Sequence, residues 1–337
     1  MVKCMKFIDI PQFGGSEVMC FGHTDKPSVT ESQLLVKVAA IGVNRADILQ
    51  RQGKYPPPAG ESDIVGLEVC GEVVEAADDA WLGKMVFGLV PGGAYAQYCL
   101  LNAAHAFELP SGYSAVEGAG IAEVFLTAYQ GIFQIGQFVR GQTVLIHAGA
   151  SGVGSAGIQL VKAMGGDVIV TVGSEQKAQF CRDLGADLVI NYKQDDFVAP
   201  IKGFCKAQGI QGVDVVLDCV AGEYIAKDID CIALDGKIVV IAMMGGRFVV
   251  SLDMAKMLAK RVSIVASTLR NRSDHYKSQL IDDFKKQFWQ ALTTRQIQPV
   301  IDKVFDWQQA AKAHDYIEGN FNQGKVVLVP NPKSLEG

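Results

Sequence analysis

The stretch Thr143-Val-Leu-Ile-His-Ala-Gly-Ala-Ser-Gly-Val-Gly154 decides the fold, because an apolar segment of strand length runs through a tight glycine turn directly into a helical pattern. Past the turn, apolar residues recur at helical spacing, which predicts a helix with one face packed on a sheet. Those residues are Val153, Ala156, Gly157, Leu160, Val161 and Met164. A strand–turn–helix of this kind directs backbone N–H groups and the positive end of a helix dipole at one point, so we expect a phosphate group to bind there.

The glycine pattern of this turn departs from the common G-x-G-x-x-G fingerprint, because serine occupies its middle position. The motif consists either of Gly149, Ser151 and Gly154 or of Ala148, Ser151 and Gly154. A glycine pattern alone is weak evidence, but its place between a strand and a helix strengthens it. We predict that a dinucleotide binds to the residues of this turn, which are Ala148, Gly149, Ser151, Gly152, Val153 and Gly154.

Strand and helix patterns alternate from residue 141 onward. The predicted strands are 143–148, 168–172, 187–190, 213–218, 236–242 and 262–267, and the predicted helices are 152–165, 175–184, 195–207 and 223–232. Because successive parallel strands are joined by right-handed helical crossovers, this alternation predicts a doubly wound, six-stranded parallel sheet. The fold class is therefore α/β, with a Rossmann dinucleotide-binding domain.

The first 109 residues instead carry strand patterns separated by glycine, proline and acidic residues, which predicts a compact β-rich domain. A helix predicted over 115–134 leads from it into the α/β region, and a second long helix is predicted over 274–293. The strand–helix–strand pattern over 300–329 has no place in a six-stranded dinucleotide sheet, so we assign it to the β-rich domain. The predicted domains are residues 1–122 with 269–337, and residues 123–268.

Composition limits the classes of function. The chain has 337 residues, of which 49% are hydrophobic and 20% charged, and a formal charge of -5. No apolar run reaches membrane-spanning length, and no Lys/Arg cluster predicts a nucleic-acid surface. The eight cysteines are scattered without a C-x-x-C pair, as in a reduced protein. We expect a cytoplasmic protein that acts on a small molecule and binds neither nucleic acid nor membrane.

The order of these modules resembles the medium-chain dehydrogenase/reductase superfamily over nearly the whole chain, with a GroES-like β-rich catalytic domain. The chain contains a set of motifs that point to one branch of it, namely Gly42-Val-Asn-Arg-Ala-Asp47, Tyr55-Pro-Pro-Pro58, Gly66-Leu-Glu68, Thr127-Ala-Tyr129, His147 to Gly154, Val172-Gly-Ser174 with Lys177, Asn191-Tyr192, Thr268-Leu-Arg-Asn-Arg272 and Gly324-Lys325. In these motifs the sequence is similar to the zinc-free NADPH:quinone oxidoreductases of the zeta-crystallin-like branch, and its segment 261–276 is similar to the stress-inducible subgroup. The resemblance implies a homodimer that pairs the edge strand at 262–267 with its twin.

The resemblance also predicts that no metal is bound. Zinc enzymes of the superfamily place a cysteine, a histidine-glutamate pair and a second cysteine where this chain has Asn44, Leu67-Glu68 and Glu123. Leucine does not ligate zinc, and both thiolates are missing. The four clustered cysteines of a structural zinc lobe are missing as well.

The end of the second α/β strand indicates which cofactor is used. NAD-specific folds place an acid there to bind the ribose 2′-hydroxyl, whereas this strand ends in Gly173 and Ser174, followed by Lys177. A hydroxyl and a cation suit a 2′-phosphate, so NADPH is predicted. Glu175 leaves NADH open if its side chain turns inward. The resemblance adds the cofactor-binding residues Tyr192, Thr127 and Lys325.

The residues predicted to act on the acceptor are Tyr55, Asn44 and Asp47, of which Tyr55 is held by a stiff proline loop and has a flat ring that suits a quinone. Each has a simpler interpretation: Tyr55 stabilises the loop, and the two polar residues bond loop backbone. His147 is interpreted as a packed strand-end histidine. The predicted function is NADPH-dependent quinone reduction; the alternatives are reduction of α,β-unsaturated aldehydes or ketones, and an NADPH-binding structural or sensor protein with little turnover.

Overall fold

The structure is a computed structural model and describes residues 4–330. Its strands are β1 (Cys4–Asp9), β2 (Cys20–Asp25), β3 (Gln33–Val43), β4 (Glu68–Ala76), β5 (Met85–Leu89), β6 (Tyr98–Asn102), β7 (Ala106–Glu108), β8 (Thr143–Ile146), β9 (Asp167–Val172), β10 (Leu188–Asn191), β11 (Val213–Asp218), β12 (Ile232–Val240), β13 (Ser263–Ala266), β14 (Ile301–Asp306) and β15 (Lys325–Val329). Its α-helices are α1 (Arg45–Arg51), α2 (Ala115–Gly118), α3 (Ala122–Tyr129), α4 (Gly152–Ala163), α5 (Glu175–Asp183), α6 (Val198–Gln208), α7 (Tyr224–Cys231), α8 (Met254–Lys260), α9 (Asp274–Thr293) and α10 (Ala310–Glu318).

The chain divides into two compact units. The first unit contains Met1–Glu123, Arg270–Asp282 and Pro299–Gly337, and the second contains Val124–Leu269 and Asp283–Gln298. Apart from one-residue shifts at two boundaries, the sequence-based division differs from these units in one segment, because it placed residues 283–298 with the β-rich domain. That segment is the C-terminal half of α9 together with the turn after it, and its helical pattern alone contains no information about which core it joins.

The second unit is built on a parallel sheet with the strand order β10-β9-β8-β11-β12-β13. The order reverses direction at β8, which is the arrangement of a doubly wound dinucleotide fold. Apolar side chains of β8, β9 and β11 are fully buried, including Leu145, Ile169 and Val216, because helices cover both faces of such a sheet. The predicted six-stranded α/β architecture is confirmed.

The first unit contains a sheet with the order β14-β15-β3-β4-β5-β7, to which β6 adds by pairing with β3. The long strand β3 pairs antiparallel with β4 and with β15, so the C-terminal strand lies beside an N-terminal one. Its core joins residues from both ends of the chain, among them Val36, Trp307 and Leu328. The predicted β-rich unit with a C-terminal return segment is confirmed.

The predicted helix over 115–134 is wrong as a single element. Helix α2 ends at Gly118, α3 begins at Ala122, and a π-helix extends from Gln130 to Ile135. A Cβ on Gly118 would lie 2.7 Å from the Sγ of Cys70, so close packing requires glycine at a point where glycine also weakens the helix. The strand patterns of β2 and β7 and the helical patterns of α1 and α8 were not recognised.

Helix α9 was predicted over 274–293, and the structure confirms it. Its buried side chains include Leu280, Ile281, Phe284 and Phe288, which recur at helical spacing. Within residues 4–330, no helix has both the length and the apolar character that crossing a bilayer requires.

Candidate functional site

The glycine turn of the second unit connects β8 to α4, and Ser151 is the N-cap of that helix. The Oγ of Ser151 accepts a hydrogen bond from the backbone N–H of Gly154 at 3.0 Å. A serine at this position satisfies one of the N–H groups that a helix leaves without an intrahelical partner. The serine that displaces the middle glycine of the fingerprint therefore stabilises the start of α4.

Two glycines of the turn are required by close packing. A Cβ on Gly154 would lie 2.5 Å from the carbonyl oxygens of Ala148 and Gly149, and a Cβ on Gly149 would lie 2.6 Å from the Cβ of Val170. Ala148 has a φ of 55°, a left-handed conformation that is costly for alanine. Strain and close approach are therefore concentrated in the predicted phosphate-binding turn, where Gly152 and Val153 begin α4.

Four predicted cofactor residues come together where β9 ends. Gly173 comes directly after β9, and a Cβ there would lie 2.7 Å from the phenolic oxygen of Tyr192. Ser174 is the N-cap of α5, and its Oγ accepts from the backbone N–H of Lys177 at 3.3 Å. A hydroxyl, a phenol and a helix N-terminus with a lysine in its first turn thus lie in one corner of the second unit.

Glu175 has its carboxylate paired on its own helix. Its Oε1 accepts a hydrogen bond from Arg182 at 2.8 Å, and both side chains are exposed. Surface pairs of this kind are worth little energy. Their geometry nevertheless shows where the Glu175 carboxylate lies. This acid could favour NADH only if its side chain turned inward, and it is instead paired with an arginine on the solvent-facing side of α5. Thr127, the remaining predicted cofactor residue of this unit, lies half-buried on α3.

Lys325 is at the centre of a buried cluster in the first unit. Its ammonium donates to the carbonyl of Val43 at 3.1 Å, to the Oδ1 of Asn44 at 2.8 Å and to the carboxylate of Glu68. Asn44 also donates from its Nδ2 to Glu68 at 3.0 Å. An ammonium has three N–H donors, so this arrangement uses all of them. The structure thus brings Lys325 to Asn44, although Lys325 was expected to bind the cofactor.

Asp47 lies beside this cluster and is buried. Its Oδ2 accepts from the backbone N–H of Asn44 at 2.8 Å and from the hydroxyl of Tyr95 at 3.3 Å, while its Oδ1 has no partner among the described residues. Burial raises the pKa of Asp47 to about 7, against the lowering effects of the Asn44 hydrogen bond, Lys325 and Arg270. Asp47 is therefore a carboxyl group that changes its charge near neutral pH.

A chain of buried side chains fixes the orientation of Tyr95. The Tyr95 hydroxyl lies 3.0 Å from Nε2 of His314, and Nδ1 of His314 lies 3.1 Å from a guanidinium nitrogen of Arg51. Burial and Arg51 lower the pKa of His314 to about 3, so the imidazole is neutral. Arginine only donates, so Nδ1 accepts, Nε2 donates to Tyr95, and the tyrosine proton points to Asp47.

Tyr55 contacts an arginine that the sequence analysis did not identify as functional. The guanidinium carbon of Arg270 lies 5.5 Å from the centre of the Tyr55 ring, within the range of a cation–π interaction. Burial raises the pKa of Tyr55, and Glu123 raises it further, whereas Arg270 lowers it. The segment 268–272 had been recognised as a family motif, but its spacing alone does not show which of its two arginines is buried.

His147 forms a buried network rather than an accessible base. Its Nδ1 lies 2.9 Å from the Thr171 hydroxyl and its Nε2 lies 2.8 Å from Asp228. Asp218 completes a trio of possible metal ligands. However, the Asp218 carboxylate already accepts backbone N–H groups of residues 220 and 221. We therefore interpret the trio as structural, as the sequence analysis interpreted His147.

Comparison with known families identifies two domain models along the chain. Residues 30–136 match the alcohol dehydrogenase GroES-like domain, and residues 152–286 match the model described as zinc-binding dehydrogenase. The first match lies in the β-rich part of the chain, and the second begins at the helix after the glycine turn.

Individual relatives extend over nearly the full chain. The quinone oxidoreductase of Mus musculus is 30% identical over 97% of this chain and 98% of its own. A 2-haloacrylate reductase of a Burkholderia species is 30% identical over 94% of this chain and 96% of its own. A mycobacterial protein whose structure is complexed with NADPH has a TM-score of 0.85 and 28% identity, over 97% of this chain and 100% of its own.

The fold and these matches define an oxidoreductase. The chain belongs to the medium-chain dehydrogenase/reductase superfamily and, within it, to the zeta-crystallin-like branch of quinone oxidoreductases.

The residues at the positions of a catalytic zinc do not fit that metal. Glu68 Oε1 is already paired with the Lys325 ammonium, and Glu68 Oε2 accepts from the backbone N–H of Glu123 at 2.9 Å. The amide of Asn44 binds to both members of the pair. Zinc sites use thiolate, imidazole and carboxylate ligands, whereas here a lysine ammonium supplies the positive charge that balances Glu68.

Proposed function

We propose that this protein is an NADPH-dependent, zinc-independent reductase of quinones. The observation that carries the choice of cofactor is the end of β9, where Gly173 and Ser174 stand in place of an acid and Lys177 and Tyr192 lie in the same corner. A 2′-phosphate would receive hydrogen bonds and a positive charge there, whereas the ribose of NADH would find no carboxylate acceptor.

The turn between β8 and α4 supports binding of the pyrophosphate. The α4 helix dipole and the small residues Ala148 and Gly149 favour an anion close to the backbone. Ser151 preserves the shape of the turn through its bond to Gly154. The remaining cofactor residues of the proposal are Gly152, Val153 and Thr127. Lys325 is revised to a residue that orients Asn44 and Glu68.

The acceptor would be bound by Tyr55, Asn44 and Asp47. When bound, NADPH supplies the hydride, so the chain itself needs to place the acceptor, exclude water and stabilise charge on the acceptor oxygen. Tyr55 offers an aromatic face for a flat quinone, and its raised pKa keeps its hydroxyl a donor. Asp47, whose pKa burial raises to about 7, supplies the final proton in this proposal.

Reduction of an activated C=C bond is the second candidate. It is supported by the 2-haloacrylate reductase, which is as similar to this chain as the mouse quinone oxidoreductase. The same hydride delivery serves both reactions, because each places negative charge on an oxygen conjugated to the carbon attacked. The difference between them lies in the acceptor that best fits the site.

An acceptor panel tests this proposal. Steady-state kcat/KM would be measured with NADPH and with NADH for a series of quinones, enones and acrylates. The proposal expects quinones to rank above enones and NADPH to rank above NADH. A higher kcat/KM for enones supports the second candidate, and tight NADPH binding without turnover on any acceptor supports a structural or sensor protein.

Elemental analysis of the active protein accompanies the panel, and one zinc per chain would contradict the metal-free mechanism.

A homodimer formed through β13 is also part of the proposal. This strand ends the sheet order, so within residues 4–330 its outer edge pairs with no other strand. The segment that precedes it in the chain exposes large apolar side chains, including Phe248 (74%), Val250 (84%) and Leu258 (74%), and exposed apolar surface of this kind is typical of interfaces. Light scattering on a Val250→Glu/Leu258→Glu variant should yield a monomer, whereas Val139→Glu, an exposed control, should remain dimeric.

A further inference from the structure

Arg270 is a buried cation whose two terminal nitrogens have no acceptor among the described residues. The residue is 7% exposed, and its Nε donates to the carbonyl of Pro91 at 3.0 Å. Nη1 and Nη2 are both buried, and within residues 4–330 neither has a hydrogen-bond partner. Because the Nε bond fixes one edge of the guanidinium plane, the other two nitrogens are held in a defined orientation.

Leaving charged donors buried and unpaired is costly. A buried charged donor without an acceptor costs more free energy than a neutral one, because its desolvation is not compensated. Burial accordingly lowers the pKa of Arg270, while Asp47, Tyr55, Glu123 and Glu61 act in the opposite direction without bonding to the terminal nitrogens. An oxygen ligand that approached both nitrogens would remove this cost.

The neighbours of Arg270 are the residues proposed to bind the acceptor. Tyr55 lies under its guanidinium group, and the charge of Asp47 acts on it more strongly than any other. Lys277, a second cation that is 7% exposed, also interacts with it electrostatically. The first unit therefore concentrates two buried positive charges, an aromatic face and a carboxyl group that titrates near pH 7.

We propose that Arg270 binds the acceptor oxygen on which negative charge develops during reduction. The inference rests on the proposed function and deepens it, because it names the group that stabilises the product anion. With NADPH bound, transfer of its hydride would break the nicotinamide C–H bond, leave NADP⁺ and place an electron pair on a carbonyl oxygen of the acceptor. Nη1 and Nη2 would donate to that oxygen, and a proton from Asp47 or from solvent would complete the hydroquinone or enol.

The guanidinium fork also defines the acceptors that are favoured. Two parallel N–H donors match a carboxylate or a pair of neighbouring oxygens better than a single ketone. Ortho-quinones and α,β-unsaturated carboxylates therefore gain more from Arg270 than simple enones. Tyr55 adds preference for a flat ring.

Kinetics of Arg270→Ala and Arg270→Lys test the inference. Arg270→Ala is expected to lower kcat/KM for the best acceptor by about 100-fold, the effect of removing an oxyanion donor, and to leave the Kd of NADPH unchanged. Arg270→Lys retains the charge without the fork and should be intermediate. Arg272→Ala is the matched control. Arg272 lies two positions after Arg270 and also stacks on an aromatic ring, with its guanidinium carbon 4.6 Å from the centre of the Tyr276 ring. Unchanged acceptor kinetics, or an equal loss of NADPH affinity, would overturn the inference.

Chemical rescue distinguishes a catalytic group from a structural one. Millimolar guanidinium chloride should restore part of the lost kcat to Arg270→Ala, and it should not raise the activity of wild type or of Arg272→Ala. Circular dichroism and the Tm show whether each variant is folded. A folded Arg270→Ala that guanidinium does not rescue, with Arg270→Lys equally inactive, would show that the arginine is structural.

Ligand binding separates this inference from the proposed function. 4-Nitrophenolate is a flat aromatic anion that resembles the reduced acceptor, and its absorbance reports binding without turnover. Binding to wild type that is lost in Arg270→Ala and retained in Arg272→Ala would support the anion site even if no quinone is reduced. Equal binding to all three proteins would overturn the inference, while turnover in the acceptor panel would leave the proposed function intact.

Discussion

Nε2 of His147 lies 2.8 Å from Oδ1 of Asp228, and both side chains are completely buried. Removing the acid leaves a polar imidazole without its partner, and breaking a buried pair costs about 3–5 kcal/mol. We expect Asp228→Ala to lower the free energy of unfolding by that amount and Asp228→Asn, which retains a hydrogen bond, by less. Urea unfolding measures both, with exposed Asp315→Ala as control. If Asp228→Ala lowered the free energy of unfolding no more than Asp315→Ala does, the buried-pair interpretation would be contradicted.

Gly154 is expected to tolerate no side chain. A Cβ at this position would lie 2.5 Å from two backbone carbonyl oxygens, which cannot move away as a side chain can. Gly154→Ala should therefore cost about 1–3 kcal/mol or more of stability and weaken NADPH binding. Gly203→Ala is the matched control, because nothing lies within 4 Å of that position in α6; it should raise stability by up to about 1 kcal/mol. Thermal unfolding and NADPH fluorescence titration measure these effects.

Lys177 is expected to select NADPH. Loss of a hydrogen bond from a charged group costs about 1.5–3 kcal/mol, so Lys177→Ala should raise the Kd for NADPH by roughly 10- to 100-fold and leave the Kd for NADH nearly unchanged. Lys206→Ala removes an exposed lysine of α6 and should change neither. Parallel weakening of both cofactors by Lys177→Ala would show that the lysine supports α5 rather than a 2′-phosphate.

Tyr55 is expected to act on the acceptor and not on the cofactor. Tyr55→Ala removes the ring that faces Arg270 and should reduce kcat/KM for quinones far more than it changes the Kd of NADPH. Tyr55→Phe retains the ring and separates the hydroxyl from the stacking surface. Equal losses in quinone turnover and NADPH affinity would assign Tyr55 to the stability of the proline loop.

Asp47 is expected to make stability depend on pH. Because burial raises its pKa from 3.8 to about 7, the folded state binds a proton that the unfolded state has released between these pH values. The free energy of unfolding should thus fall as pH rises from about 4 to about 7 and level off above, by a few kcal/mol. Lys325 and Arg270 reduce this effect, whereas Glu68 increases it.

Comparison of wild type with Asp47→Asn isolates this contribution. The variant cannot ionise, so the difference in unfolding free energy between the two proteins should change over the same pH range. Asp315→Asn controls for general charge effects. A difference that is constant from pH 4 to pH 8 would show that Asp47 titrates normally.

Local sequence patterns predicted most of the second unit, because its strands and helices alternate and most connections between them are short; the exception is the long connection from β12 to α8, and α8 was not recognised. The turn at Ser151 is an example, since strand, glycines and helix are all contained in twelve residues. The helix over 115–134 was predicted wrongly, since the chain is interrupted between Gly118 and Ala122. Gly118 packs closely against Cys70 of β4, and the helical pattern carries no information about that contact.

Contacts between residues that are distant in the sequence could not be predicted. Lys325 was predicted to bind the cofactor, and its contact with Glu68, which lies 257 positions away, was not foreseen. Arg270 carries the same charge as Arg272 in the sequence, and only burial separates them. Asp47 was predicted to be functional, but its raised pKa could not be read from the loop that contains it.

The pairing of β15 with β3 has a consequence for synthesis of the protein. Lys325 reaches Asn44 across 281 positions, and at ribosomal rates this interval takes roughly 15–60 s. Throughout that time, the nascent N-terminal strands lack the neighbour that completes their sheet. The Val124–Leu269 segment of the second unit is meanwhile available to fold, so we expect a chaperone that captures this nascent chain to contact β3.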